Sequence, residues 1–326
     1  MATALVAYHA DCLDGFGAAW SAWRALGDAA LYRPLHHGEH LAGEEIAGRD
    51  VYILDFSFAP AELEAMTELA HSVTQIDHHA TAHGDWCGRL QDSGDGREIY
   101  CDPQRSLTVI FALDRAGAML AWAQFHHTTP PLLLQHVEDL DLWRFALPGT
   151  RNFCRALRLQ PFCFTIWERL AEELASPEAP AYLAFVERGA AVEQFHQNEV
   201  ARLAAPTLSM PARLRGEPID AVQARRHGLP IISDEHGDWQ AIEGLAVNAG
   251  ALFASELGHR LAERSGSFGL TWQLVADGQV KVSLRSQTPF NVGDIARRYG
   301  GGGHPQAAGF RLPAAQFFAE ILGLPR

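Results

Sequence analysis

Three short apolar runs in the first eighty residues each lead into acids or imidazoles, a pattern suited to gripping a divalent cation. Leu5-Val6-Ala7-Tyr8 is followed by Asp14, Val51-Tyr52-Ile53-Leu54 ends at Asp55, and Ser72-Val73-Thr74-Gln75-Ile76 runs into Asp77-His78-His79. Runs of this length and composition read as buried strands. Open α/β sheets place their ligands at the carboxyl ends of such strands. Mixed Asp and His donors without thiolate pairs suit Mn²⁺ or Mg²⁺ better than structural zinc, and imidazole tilts the choice towards Mn²⁺. Two such ions on a shared carboxylate can activate water and neutralise a phosphoryl oxygen during in-line displacement. Asp55, at the end of the middle run, is the natural bridging carboxylate; the competing reading is an Asp that caps the following helix.

The elements around these residues alternate between strand and helix. Gly15 to Leu26 carries Phe16, Ala19, Trp20, Trp23 and Leu26 on one helical stripe, and Gly27 stops it. Leu31 to Leu35 is a second short strand, and Pro60 opens a helix over 60–70. This alternation predicts a parallel sheet with helices on both faces. Residues 82–104, rich in Gly, Asp and Ser, read as a long loop, and 106–204 as helical, ending in a long helix over 181–203 behind Pro180. Beyond Pro206 the pattern changes to short β-like runs. Phe268 to Val275 and Gln279 to Arg285 alternate apolar and polar around Asp277-Gly278, a hairpin signature. The expected fold is therefore α/β: an N-terminal parallel-sheet domain over 1–195, and a smaller C-terminal α/β domain with a mixed sheet over 206–326. The long helix joins them.

At 326 residues the chain exceeds what one core usually serves. Its 26 basic against 39 acidic residues give a net charge of −13, and Lys281 is the single lysine. So acidic a surface disfavours long duplex nucleic acid, and any nucleotide substrate should be small and locally bound. The five cysteines contain no C-x-x-C pair, and no signal peptide or membrane-length apolar run is apparent. The expectation is a cytoplasmic protein with reduced, mostly buried thiols and no membrane partner. A homodimer is compatible with this reading. Trp20, Trp23, Trp143 and Trp167 are expected in the core.

These residues carry a resemblance. His9-Ala-Asp11-Cys-Leu-Asp14-Gly15, Asp55, Asp77-His78-His79 and Glu138-Asp139-Leu-Asp141-Leu-Trp resemble the four motifs of the DHH phosphoesterase superfamily. Val282-Ser-Leu-Arg285-Ser286 and Gly300-Gly-Gly-Gly303-His304-Pro305-Gln-Ala-Ala308-Gly309 resemble its associated C-terminal substrate domain. The superfamily includes nano-RNases, oligoribonucleases and nucleotide phosphatases. The resemblance implies a Mn²⁺-dependent phosphoesterase, with about two ions in the first domain and substrate held between the two. It implies that Asp14, Asp55, His78 and Asp139 form one metal site, that Asp55 bridges to a second ion, and that His79 faces the substrate phosphate. Asp77 would orient a histidine. Asp141 is the alternative to Asp139, which is preferred.

The first motif departs from the family's pattern, which places an Asp two residues before Asp-Gly, where this chain has Cys12. Either a reshaped loop lets His9 and Asp11 ligate, or Cys12 is a ligand, or that site is weak; His9 and Asp11 are the preferred candidates. The run Gly300 to Gly303 lacks the Gly-Lys-Ser/Thr of a phosphate-binding P-loop. Consecutive glycines still allow close backbone approach to an anion. Gly301, Gly302, Gly303 and His304, with Arg285 on the neighbouring strand, are therefore expected to cradle a phosphate, Arg through its fork of donors. His36, His37 and His40 read as a solvated loop.

The sequence thus points to hydrolysis of short oligonucleotides, dinucleotides or nucleoside bisphosphates, with Asp55 and His79 as the catalytic pair. A single-strand exonuclease is the runner-up, opposed by the charge balance. A nucleotide-binding module that has lost turnover is the alternative from another class, supported by Cys12. Pyrophosphate or polyphosphate cleavage is disfavoured, because those relatives carry a different second domain.

Overall fold

The computed structural model describes residues 3–234, 237–287 and 289–324. The chain divides into two compact units, Met1–Gln194 and Phe195–Arg326. In the first unit the strands are β1 (Ala4–His9), β2 (Ala30–Leu35), β3 (Asp50–Leu54), β4 (Ser72–Asp77), β5 (Gln91–Asp92), β6 (Glu98–Asp102) and β7 (Leu107–Phe111). Its helices are α1 (Leu13–Leu26), α2 (Gly43–Ile46), α3 (Pro60–Met66), α4 (Ala80–Asp85), α5 (Gly117–Phe125), α6 (Leu132–Asp141), α7 (Thr150–Arg158) and α8 (Phe164–Glu173). The long helix α9 (Pro180–Leu203) carries the division between the units within it.

The first sheet runs β2-β1-β3-β4-β7-β6-β5, parallel from β2 through β7 and antiparallel at β6 and β5. Alternation along each strand sends one set of side chains to each face. Leu5, Ala7, Val51, Ile53, Val73, Val109 and Phe111 pack with Leu63 and Met66 of α3. Ala4, Val6, Ile76 and Ile110 pack under Ala18 and Ala22 of α1 and Leu120 of α5. A third cluster joins Phe16, Trp20, Trp122, Leu134, Phe153 and Trp167 from five helices. Helices on both faces of a mainly parallel sheet follow from burying those two apolar surfaces.

The structure corrects the reading of the middle of the chain. The stretch expected as a loop contains α4 and the β5–β6 pair, with the Gly- and Asp-rich residues 93–97 as the turn between the strands. Leu107-Thr-Val-Ile-Phe111, expected as helix, is a buried strand, which its β-branched and aromatic content favours. Trp143, expected in the core, is partly exposed, with Arg151 over its ring. Of the five cysteines only Cys154 is buried.

The second unit contains β8 (Met210–Pro218), β9 (Ile231–Asp234), β10 (Gly237–Asn248), β11 (Phe268–Leu274), β12 (Gln279–Ser286), β13 (Gly302–His304) and β14 (Ala307–Pro313). Around them lie α10 (Ala221–Arg226), α11 (Ala254–Ser265), α12 (Val292–Arg297) and α13 (Ala314–Gln316). Its mixed sheet runs β13-β14-β12-β11-β10-β8, with β9 also on β10 and only β10 and β11 parallel. The β11–β12 hairpin pairs Phe268 with Ser286 through to Leu274 with Val280, and the Asp277 carboxylate caps the turn by accepting the Gln279 N–H. No helix among the described residues is long and apolar enough to cross a membrane.

A buried polar relay ties α6, α7 and the start of α9 together. His136 lies 2.9 Å from Thr150 Oγ1 through Nδ1 and 2.8 Å from the Tyr182 hydroxyl through Nε2. The Thr150 hydroxyl donates to Asp139, so Thr150 accepts from Nδ1–H, and in the neutral imidazole Nε2 accepts from the Tyr182 hydroxyl. Burial pushes His136 down to about 4. In the unfolded chain it binds its proton near the ordinary value of about 6.5. Its contribution is therefore complete above that value and is lost as pH falls towards 4, by up to about 3 kcal/mol. Thermal unfolding of the wild type and His136→Phe between pH 7.5 and 4 should show this component only in the wild type. Parallel pH profiles would exclude it.

Candidate metal centre

The chain enters β1, crosses to β2 on one side, then returns to β3 on the other, so the strand order reverses between β1 and β3. Such a switch point opens a crevice at the carboxyl ends of the strands. His9 ends β1, Asp55 follows β3, and Asp77 ends β4 with His78 and His79 directly after it. Asp55 has a left-handed backbone, φ 52°, which an Asp tolerates better than a branched residue. Its N–H is held by the Ile76 carbonyl at 3.0 Å. The local strain turns its side chain out of the strand alternation and into the cluster.

Three groups of donors overlap there, each with ligand atoms within 4.8 Å of one another: Asp14, His78 and Asp141; Asp55, Asp77, His78 and His79; and His9, Cys12 and Asp55. His78 Nε2 is 3.2 Å from Asp55 Oδ1 and 3.6 Å from both Asp14 and Asp141. His9 Nδ1 is 3.5 Å from the other Asp55 oxygen. Asp55 thus faces an imidazole on each side, the arrangement expected of a carboxylate shared by two cations.

Asp14 is fixed from behind. Both its oxygens accept backbone N–H groups at the start of α5, from Gly117 at 2.7 Å and Ala118 at 2.8 Å. A helix N-terminus favours this charge, and the bonds leave little freedom to the carboxylate. Asp77 is equally constrained: its two oxygens take the Ser57 hydroxyl at 2.6 Å and His79 Nδ1 at 2.7 Å. Asp77 stays charged, at about 2; burial alone would raise it, and the His79 imidazole holds it down. The Asp77 contact sets the ring orientation of His79, with Nδ1–H towards the carboxylate.

The electrostatics fit a cation. Burial and the neighbouring Asp55 and Asp141 carboxylates drive Asp14 well above its ordinary range. Burial alone would raise Asp55 too, but the His78 and His9 imidazoles outweigh it and drive Asp55 well below that range. Its Oδ1 is buried and accepts no hydrogen bond of sound geometry. The crowded carboxylates push the His9 and His78 imidazoles towards their charged forms; divalent ions would supply the same charge in their place.

Two expected ligands stand elsewhere. Asp139 faces α7: it accepts the Ala146 and Leu147 N–H groups and the Thr150 hydroxyl, which leaves Asp141 to meet His78. The two acids share one helical turn, and the donors that claim Asp139 lie seven to eleven residues downstream, invisible in the motif. Asp11 is also displaced. It has φ 55°, its side chain is 86% exposed, and it lies 4.0 Å from His36 Nε2. Cys12 takes its place beside His9. The expected loop histidines are partly engaged as well, since His37 lies 5.0 Å from the His9 ring and His40 pairs with Glu62.

In the second unit the glycine run is more structured than a flexible cradle. Gly302–His304 is the edge strand β13. The Gly301 N–H is spent on the Ala296 carbonyl at the end of α12, so it cannot serve an anion. A side chain at Gly301 would meet the Gly309 carbonyl at 2.0 Å, and this close strand packing accounts for that glycine. Arg285 on β12 donates to the Leu284 carbonyl and to Ser255 Oγ, both at 2.8 Å.

Gly117 was not singled out by its sequence context, yet the centre depends on it. A Cβ there would stand 2.6 Å from Asp55 Cβ, 2.9 Å from Asp55 Oδ1 and 3.0 Å from Asp14 Oδ2. Gly117→Ala must push both carboxylates aside. The expected cost is about 1–3 kcal/mol of stability and a loss of at least about tenfold in Mn²⁺ affinity, on the scale of losing a supporting contact. Calorimetric titration with Mn²⁺ checks this; unchanged affinity would show that the carboxylates move without consequence.

The DHHA1 domain family matches residues 259–324, within the second unit. The chain is 25% identical over 324 residues to uncharacterized protein R106 of Acanthamoeba polyphaga mimivirus, covering 94% of this chain and 66% of that protein. It is similar in structure to RecJ of Thermus thermophilus in complex with Mn²⁺, with 18% identity and a TM-score of 0.44, over 97% of this chain and 50% of that one. It is also similar to the pGpG-specific phosphodiesterase PggH of Vibrio cholerae, with 12% identity and a TM-score of 0.37, over 96% and 94%. The chain therefore spans about two thirds of the viral relative and half of that RecJ chain. The second unit thus carries a match to the DHHA1 domain family, and Asp77-His78-His79 stands at the switch point of the first.

Proposed function

We propose that the chain is a metal-dependent phosphoesterase that hydrolyses small nucleotides, namely short oligonucleotides, dinucleotides or nucleoside bisphosphates, with two Mn²⁺ ions preferred and Mg²⁺ as substitute. The observation that carries this reading is the sharing of Asp55 between two donor groups at a sheet switch point. Asp14, Asp55, His78 and Asp141 would hold one ion, and Asp55 with His9 the other. Ions bound there would supply charge neutralisation at phosphorus and an activated water. The chain's own part is positional and electrostatic. The α5 N-terminus fixes Asp14, Ile76 fixes the Asp55 backbone, and Asp77 aims His79, which is proposed to donate to a phosphoryl oxygen as charge builds on it. Arg285 and His304 are proposed as further phosphate donors. The net charge of −13 favours short over long nucleic acid as substrate.

A panel of dinucleotides, nucleoside bisphosphates, cyclic dinucleotides and longer single strands, assayed with Mn²⁺, tests the proposal. Release of nucleoside monophosphate or phosphate from the small members is expected, and Asp55→Asn should remove it, a loss of several kcal/mol in barrier height, on the order of a thousandfold or more. Folded, Mn²⁺-loaded protein that turns over nothing in the panel would overturn the reading, and preference for long strands would favour the exonuclease alternative. Arg285→Ala should lower kcat/KM about tenfold to a hundredfold through one charge-assisted hydrogen bond. Equilibrium dialysis should find its metal stoichiometry unchanged; an emptied metal site would show that Arg285 acts on the first unit's ligands instead.

A further inference from the structure

The group His9, Cys12 and Asp55 departs from an all-oxygen-and-nitrogen centre by one sulfur. Cys12 occupies the N-cap of α1 with an extended backbone, φ −115° and ψ 140°, and its side chain makes no capping hydrogen bond to the helix. It stands with His9 and Asp55 within ligand spacing, while the neighbouring Asp11 is turned out to solvent. Asp55 itself is 2% exposed and divides its oxygens between the two sides: Oδ1 faces His78 Nε2 at 3.2 Å, and Oδ2 faces His9 Nδ1 at 3.5 Å, on the side where Cys12 stands. A buried acceptor beside a thiol and an imidazole is the donor set of a mixed-ligand cation site.

We propose that Cys12 is a metal ligand, so that one of the two ions is held by sulfur from Cys12, nitrogen from His9 and oxygen from the shared Asp55. Binding releases the thiol proton to solvent and forms one metal–sulfur bond, with no change of oxidation state. A thiolate and an imidazole together favour Zn²⁺, Co²⁺ or Fe²⁺ over Mg²⁺ at this position, while the donors on the His78 side remain suited to harder ions. The proposal rests on reading this cluster as a metal centre, and it adds to that reading which ion each half prefers.

Cobalt spectroscopy separates the two levels. Metal-stripped, reduced protein is titrated with Co²⁺ under anaerobic conditions, and bound metal is counted by dialysis while absorbance is recorded. A sulfur-to-cobalt charge-transfer band should appear with saturation at one equivalent per chain. Cys12→Ser should lose the band and bind one ion at least about tenfold more weakly. Cys12→Asp should recover Mn²⁺ affinity without the band, which also carries the test if the serine variant folds poorly. Cys87→Ser, at an exposed cysteine, should keep both band and affinity. Co²⁺ bound without the band, or a band that survives in Cys12→Ser, would overturn the role of Cys12 and leave the metal centre standing. Failure of the wild type to bind Co²⁺, Mn²⁺ or Zn²⁺ would overturn both.

Discussion

Everything in the first unit is arranged around forcing like charges together. The buried Asp14 and Asp55 converge with the more exposed Asp141 on His78, and carboxylates this close are unfavourable without compensating positive charge. The fold supplies part of that compensation through its backbone. The N-terminus of α5 points two N–H groups at Asp14, and Gly117 removes the methyl that would keep α5 from approaching. The sheet supplies the rest of the geometry. Parallel strands bring their carboxyl ends to one rim, and the order reversal between β1 and β3 opens a gap where Asp55 can turn inward. The strained Asp55 backbone is stable only because the register of β3 on β4 fixes its N–H against Ile76.

Much of this was legible in the sequence, for a physical reason. Strands buried on both faces read as near-continuous apolar runs, so Val51–Leu54 announces itself, and a charged residue at the end of such a run stands at the rim. Asp55 was accessible in this way, Asp14 and His78 through their nearness to such strand ends, and the β11–β12 hairpin through alternation around Asp277-Gly278. What escaped depends on contacts between distant segments. The competition between Asp139 and Asp141 is decided by backbone donors at Ala146 and Leu147 and by Thr150, on the far side of a loop. The strand at Leu107–Phe111 was obscured because short apolar runs beside helices carry no periodicity that separates the two.

The glycines show the same division between local and non-local causes. A run of four glycines before a histidine invites a phosphate cradle, because free N–H groups and absent side chains are what an anion needs. The structure spends the Gly301 N–H on closing α12 and uses its missing side chain for strand packing against Gly309. Gly117, isolated in an unremarkable Ala-rich helix start, has the more direct link to the chemistry. Its value comes from a segment about a hundred residues earlier in the chain, where Asp14 waits for a partner.

The placement of Cys12 gives the centre an asymmetry that a symmetric pair of carboxylate-bridged ions would lack. On one side of Asp55 the donors are Asp14, His78 and Asp141, oxygen-rich and backed by a helix terminus. On the other side stand the His9 imidazole at the end of β1 and the Cys12 thiol at the start of α1; between them the backbone of Asp11 is turned to φ 55° and its carboxylate is exposed. With Asp11 outside, the oxygen charge near Asp55 is reduced by one carboxylate, which lessens the repulsion the fold must contain. The proposed role of Cys12 would place a softer donor at this spacing, beside a residue whose backbone conformation carries its carboxylate outward.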